Sequence, residues 1–255
     1  MDKLAPIGVF DSGIGGLSVW HEVRALLPHE PVIYMADSDH APYGRHKPEE
    51  IIQYSEEISR FLLSQGAKII VIACNTATGI AIEHLRRIFN VPFVGMEPAI
   101  KPAAEKSLTG QIGVLATAQT FEAEHFRRTK SRLAKDVEIN IAIGDGLVEL
   151  VEQGKAISEE ARSLLHSYLD PMVSEGIDQL VLGCTHYPFL IPVIREIVPR
   201  EITIHNPSPA VAKQVQRILI QSNGLHPEQD QAQYTFHSSG SREVLDNMVA
   251  KMLGE

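Results

Sequence analysis

Short apolar runs alternate along the chain with longer stretches in which apolar positions recur every three or four residues. The runs IGVF (7–10), VIYM (32–35), IIVIA (69–73), PFVGM (92–96), IGVLA (112–116), INIAI (139–143), QLVLG (179–183) and ITIH (202–205) have the length and β-branched content of buried strands, and YTFH (234–237) adds a late one. Helical spacing is clearest over 48–65, 79–89, 158–174 and 241–253, and a further helix is expected to open near Leu17. Strands followed by crossover helices are the pattern of α/β proteins with parallel sheets. The polar stretch 221–233 reads as a surface connection.

An internal repeat organises this pattern. SQGAKIIVIACNT at 64–76 aligns without a gap on SEGIDQLVLGCTH at 174–186, matching Ser64 with Ser174, Gly66 with Gly176, Val71 with Val181 and Cys74 with Cys184. Upstream, IGVFDSG at 7–13 resembles IGVLATA at 112–118, and downstream VGMEPA at 94–99 loosely echoes IHNPSPA at 204–210. Helix, glycine, apolar strand is a generic unit, so any one match would carry little. Three segments in the same order, with the chain's two cysteines at equivalent positions, favour duplication. The expected architecture is therefore α/β, with two similar, pseudo-symmetric domains, each a mainly parallel sheet flanked by helices, and the site in the cleft between them. Residues 1–97 plus 210–255 are expected to form the first, discontinuous domain and 98–209 the second. Each cysteine would then lie just past the C-terminal end of a strand, where open parallel sheets bind ligands.

Composition narrows the function classes. The 255 residues are 44% hydrophobic and 22% charged, in the range of globular proteins. A net charge of −9 argues against nucleic acid as a partner, because neutralising a phosphate backbone needs clustered Lys and Arg. Runs such as IIVIAC (69–74) fall far short of the ~20 apolar residues of a membrane span. The N-terminus, MDKLAPIGVFDSG, has no signal-peptide pattern, so a cytoplasmic location without membrane association is expected. Two cysteines cannot build a disulfide framework, which leaves them as buried filler or as reagents.

Polar neighbours favour reagents. Asn75 and Thr76 follow Cys74, and Thr185 and His186 follow Cys184. A strand-to-helix turn of this kind offers backbone N–H groups to an anion and lowers a thiol's pKa through the helix dipole. The glycine loop DSGIGG, Asp11 to Gly16, lacks both dinucleotide and phosphate-loop spacing, so a carboxylate is the better guess for its ligand. Asp11 caps that turn or orients an ammonium or thiol proton. His186 and Glu152 are the remaining titratable candidates. No second paired cluster accompanies Cys184 and His186, so no metal site is expected.

The strings IGVFDSGIGGLSV, APYG, IACNTAT, LGCTHYP and the late SSG, taken in this order over nearly the whole chain, resemble the glutamate racemase family. The resemblance implies interconversion of L- and D-glutamate for bacterial peptidoglycan, without pyridoxal phosphate, metal or other cofactor, by a homodimer. It implies Cys74 and Cys184 as the acid/base pair, one on each face of the substrate. Asp11, Ser12, Tyr43, Gly44, Asn75, Thr76, Thr185 and His186 are implied to bind substrate or assist proton transfer. Thr117 and Thr120 in ATAQT match a substrate-contacting T-x-x-T turn, and Glu152 a carboxylate near the site. The chain departs from the family's usual pattern at His40, where arginine is common, and at Ala116, where glycine is usual.

Three alternatives remain beside this reading. One is the same chemistry on aspartate, a hydantoin or another small acid. A second is a binding module with structural cysteines. The third, a Cys-His hydrolase, leaves one cysteine unexplained.

Overall fold

The computed structural model describes residues 1–133, 136–227 and 232–254. In the first part of the chain β1 (Ile7–Asp11), α1 (Leu17–Leu26), β2 (Val32–Ala36), α2 (Pro48–Ser64), β3 (Ile69–Ile72), α3 (Asn75–Ile88) and β4 (Phe93–Gly95) follow one another. Then come α4 (Ile100–Lys106), β5 (Gln111–Ala116), α5 (Ala118–Glu122), α6 (Glu124–Leu133) and β6 (Glu138–Ile143). The sequence continues through α7 (Leu147–Glu152), α8 (Glu159–Ser174), β7 (Gln179–Gly183), α9 (Ile191–Ile197) and β8 (Thr203–His205). It closes with α10 (Ser208–Gln221), β9 (Tyr234–Ser238) and α11 (Arg242–Leu253). Of the polar stretch 221–233, residues 228–231 lie outside the described residues. Among the described residues no helix is long and apolar enough to cross a membrane.

Two parallel sheets result, ordered β4-β3-β1-β2-β9 and β6-β5-β7-β8. Read from its other edge, the second is β8-β7-β5-β6, strand for strand the repeat equivalent of β4-β3-β1-β2. The match reaches individual contacts. Gly8 pairs with Ile70 and Gly113 with Leu180. A Cβ on Gly8 would meet Leu62 and Ala67, and one on Gly113 would meet Met172 and Ile177, the residues 110 positions further on. Both glycines are thus set by the close approach of α2 and α8, with the turn that ends each, to β1 and β5. Gly66 and Gly176 end α2 and α8 at φ of +86° and +78°, the left-handed conformation that lets each helix turn sharply into β3 or β7.

Continuous burial of β1, β3 and β7 follows from helices on both faces, and explains why those strands read as unbroken apolar runs. β9 extends the first sheet by pairing parallel with β2. Trp20 of α1 fastens that edge, meeting the rings of Tyr234 and Phe236 edge-on at 5.5 and 5.1 Å. The strand spans differ from the periodicity by a residue or two. The helix expected over 79–89 begins instead at Asn75, because Asn75, Thr76, Thr78 and Gly79 break the apolar spacing of its first turn while Cys74 caps it.

Candidate active site

Asp11 is the last residue of β1, and its carboxyl is wholly buried. One oxygen accepts the Gly16 N–H at 2.9 Å and the other the Thr185 hydroxyl at 3.3 Å, so Asp11 ties the first sheet to the turn after β7. Burial pushes its pKa up to about 6. His186 and the Gly16 N–H pull against that shift, while Glu152 adds to it.

The loop that follows Asp11 differs from an open anion cradle. A Cβ on Gly13 would collide with the Glu152 carboxylate, one on Gly15 with the His186 ring, and one on Gly16 would meet Asp11 and Tyr34. The glycines of DSGIGG make room for the site's own side chains. The carboxylate this loop holds is that of Glu152, which accepts the Ile14 N–H at 2.7 Å.

Cys74 sits between β3 and α3 as the cap of the helix, its sulfur accepting the Ala77 N–H at 3.5 Å and lying 3.7 Å from the Ser12 hydroxyl. The helix terminus was expected to ease ionisation of this thiol. Burial instead pushes its pKa up, the Asp11 charge adding, and the Ala77 N–H and Ser12 only partly offset them. Desolvation of a sulfur that is 5% exposed outweighs the terminus.

Cys184, immediately after β7, is 7% exposed and lies 3.7 Å from Nδ1 of His186. No long helix follows it: a 3-10 turn, Tyr187–Leu190, intervenes before α9, with Pro188 and Pro192 opening the two short segments. The other ring nitrogen of His186, Nε2, is 2.6 Å from Oε1 of Glu152, the last residue of α7. Burial by itself would lower the imidazole pKa. The sulfur of Cys184 and the carboxylate of Glu152 outweigh it and raise that pKa well above the ordinary value. Cys184, His186 and Glu152 thus form one hydrogen-bonded series, whereas Cys74 has hydroxyl and amide neighbours. Both cysteines are free.

Three hydroxyls cluster beside Cys74. Thr76 is 3.0 Å from Thr117, which is 3.0 Å from Thr120, and the third side measures 3.5 Å. Gly44 packs on Thr117, where a Cβ would come within 3.3 Å. Tyr43 is buried next to it, but its hydroxyl donates to Asp37 at 2.7 Å. Burial and that carboxylate push its pKa up. Asn75 donates to the Met96 carbonyl at 3.3 Å, and its buried Oδ1 has no hydrogen-bond partner.

Asp11, Thr185, His186, Cys184 and Glu152 are therefore linked through hydrogen bonds around the ends of β1 and β7, and Ser12 and Cys74 form a second pair at the end of β3. Thr76, Thr117, Thr120 and Gly44 stand alongside, and Tyr43 packs in the same buried cluster as Cys74 with its hydroxyl on Asp37. Asp37, which also accepts from Ser239 at 2.8 Å and contacts His40 at 2.9 Å, was not singled out by its sequence context. Neither was the Arg45–Glu149 ion pair that joins the turn after Gly44 to α7. Contacts between distant segments leave no local signature. Among the described residues no three His, Cys, Asp or Glu side chains group as metal ligands.

Residues 18–215 match the family model described as Asp/Glu/hydantoin racemase. The glutamate racemase of Herpetosiphon aurantiacus is 46% identical over 238 residues, covering 93% of this chain and 94% of that protein. Among solved structures, a glutamate racemase isoform of Bacillus anthracis superposes with a TM-score of 0.86 at 29% identity, over 99% of this chain and 95% of the other. The Francisella tularensis glutamate racemase in complex with D-glutamate gives 0.84 at 26% identity over 99% and 95%.

Proposed function

The chain belongs to the Asp/Glu/hydantoin racemase family and is an isomerase that racemises glutamate; on that premise we propose that Cys74 and Cys184 exchange the Cα proton from opposite faces. Inversion at Cα needs a base on one face and an acid on the other. The observation that carries the proposal is the pairing of two free cysteines at equivalent positions of the duplicated halves, each with its own polar partners.

Those partners divide the labour. Glu152 holds His186 as an imidazolium, which supplies a counter-ion for a thiolate at Cys184. Burial keeps Cys74 as the thiol that delivers its proton, with Ser12 and the Ala77 N–H to receive the charge left on sulfur. The thiolate takes the Cα proton, the thiol donates to the opposite face, and the two sulfurs end with protonation states interchanged. The reverse direction runs the same steps backwards. Asp11, beside both Gly16 and Thr185, biases the charge around Cys74. We assign substrate contacts to Ser12, Gly44, Asn75, Thr76, Thr117, Thr120, Thr185 and His186, with Tyr43 fixing the turn that carries Gly44.

The proposal extends to the division of the chain into 1–97 with 210–255 and 98–209, which sheet membership supports. It includes a cytoplasmic homodimer supplying D-glutamate for peptidoglycan. Circular dichroism of L-glutamate with purified protein and no added cofactor tests the reaction: the signal should decay to zero, and should still do so after dialysis against a chelator. L-aspartate should change far more slowly. A flat glutamate signal, or loss of activity restored by metal, would overturn the reading.

A further inference from the structure

Neither catalytic face accounts for two buried serines. Ser18, in the first turn of α1, donates from its hydroxyl to the main-chain carbonyl of Thr185 at 3.0 Å. Ser208, the first residue of α10 and wholly buried, lies with its hydroxyl 3.3 Å from that of Ser18 and donates to it. The two helices belong to the side of the molecule built on the first sheet, whereas Thr185 follows β7 of the second. Thr185 is also the residue between Cys184 and His186, and its own hydroxyl reaches back to Asp11.

We propose that Ser18 and Ser208 are positioning residues for the Cys184 turn: their hydroxyl series fixes the Thr185 carbonyl, and with it the placement of the Cys184 sulfur and the His186 ring against the first half of the site. Three physical points carry this. A buried hydroxyl without a partner is costly, so each serine is held to the geometry its partner sets. Ser18 holds the main chain of the turn while Thr185 holds Asp11 through its side chain, so one residue is clamped from two sides by the opposite half. The third point is directional. Among the described residues neither serine hydroxyl bonds to Cys74 or its neighbours, so the effect falls first on one of the two thiols.

The inference rests on Cys184 being one of the acid/base groups. Ser18→Ala and Ser208→Ala remove one oxygen each and add no bulk. Each is expected to lower kcat on glutamate ~5–10-fold, the size of one lost positioning hydrogen bond, with KM changed less than ~2-fold. Ser18→Thr, which keeps the hydroxyl, should recover more activity than Ser18→Ala.

The decisive readout is thiol chemistry. Iodoacetamide labelling followed by mass spectrometry should show the Cys184 rate changed ~3-fold or more in Ser18→Ala while the Cys74 rate stays at the wild-type value. Both rates shifting together would mean a general loosening and would overturn the proposal, as would unchanged kcat with unchanged labelling. If instead Cys184→Ala kept wild-type turnover, the two-thiol reading would fail on its own evidence, whatever the serine variants did.

Discussion

Oε1 of Glu152 lies 2.6 Å from Nε2 of His186 and 2.7 Å from the Ile14 N–H, so one carboxylate oxygen orients both the imidazole beside Cys184 and the glycine loop after β1. Glu152→Gln keeps the shape and removes the charge that favours the imidazolium. We expect kcat to fall ~10–100-fold with a smaller change in KM, read by steady-state kinetics in both directions. Wild-type kcat in this variant would remove Glu152 from the series.

Asp11 makes stability and activity oppose each other. Its carboxyl is raised to about 6 in the folded protein from an ordinary value of 3.8. A carboxyl raised on folding gives its full contribution to stability below the unfolded value and loses it as pH rises through the folded one. The roughly two-unit shift corresponds to about 3 kcal/mol at most. Asp11→Asn, which cannot ionise, should therefore be more stable than wild type above pH 6, and the gap should shrink as pH falls from 7.5 to 5 in urea titrations. The acid limb of kcat/KM near pH 6 should disappear in the same variant. A gap that grew toward pH 5 would contradict the assignment.

Gly15 and Gly66 separate the needs of the site from those of the fold. A methyl at Gly15 must displace the buried His186 ring, and a misplacement of this kind costs ~100-fold in kcat. Gly66 faces open space but has φ of +86°, so Gly66→Ala should cost ~1 kcal/mol of stability and leave kcat unchanged. Thermal melts and kinetics on the two variants give opposite patterns if the account holds.

Arg45 and Glu149 join the turn carrying Gly44 to the helix carrying Glu152. Arg45 is largely exposed, so the pair contributes less than ~1 kcal/mol to stability. Its expected role is in holding the two sides together over the substrate. Arg45→Ala should raise KM for glutamate several-fold and flatten the dependence of kcat/KM on salt, with the melting temperature within a few degrees of wild type. An unchanged KM would leave the pair without that role.

Much of the architecture was legible because it repeats. The apolar runs at 69–73 and 179–183 become equivalent interior strands, and the glycines before them become equivalent left-handed turns. The cysteines were legible for the same reason. Features that depend on distant segments were not: Asp37 gathers Tyr43 and Ser239 from opposite ends of the first half, and Ser18 reaches Thr185 across 167 residues. DSGIGG was open to misreading because glycine marks close approach without saying to what. The state of the Cys74 thiol was hidden too, since a helix terminus is visible in sequence but the depth of burial that outweighs it is not.

The central claim, one thiol on each face, is tested most directly by racemising protiated L-glutamate in deuterated water and following Cα labelling in both enantiomers at low conversion. Two separate bases deliver a solvent-derived proton to the product and do not return the abstracted one to it. Newly formed D-glutamate should therefore carry deuterium at Cα while recovered L-glutamate keeps its protium, and the same should hold starting from the D-enantiomer. Protium transferred into the product, or deuterium entering recovered substrate as fast as it enters product, would contradict the account.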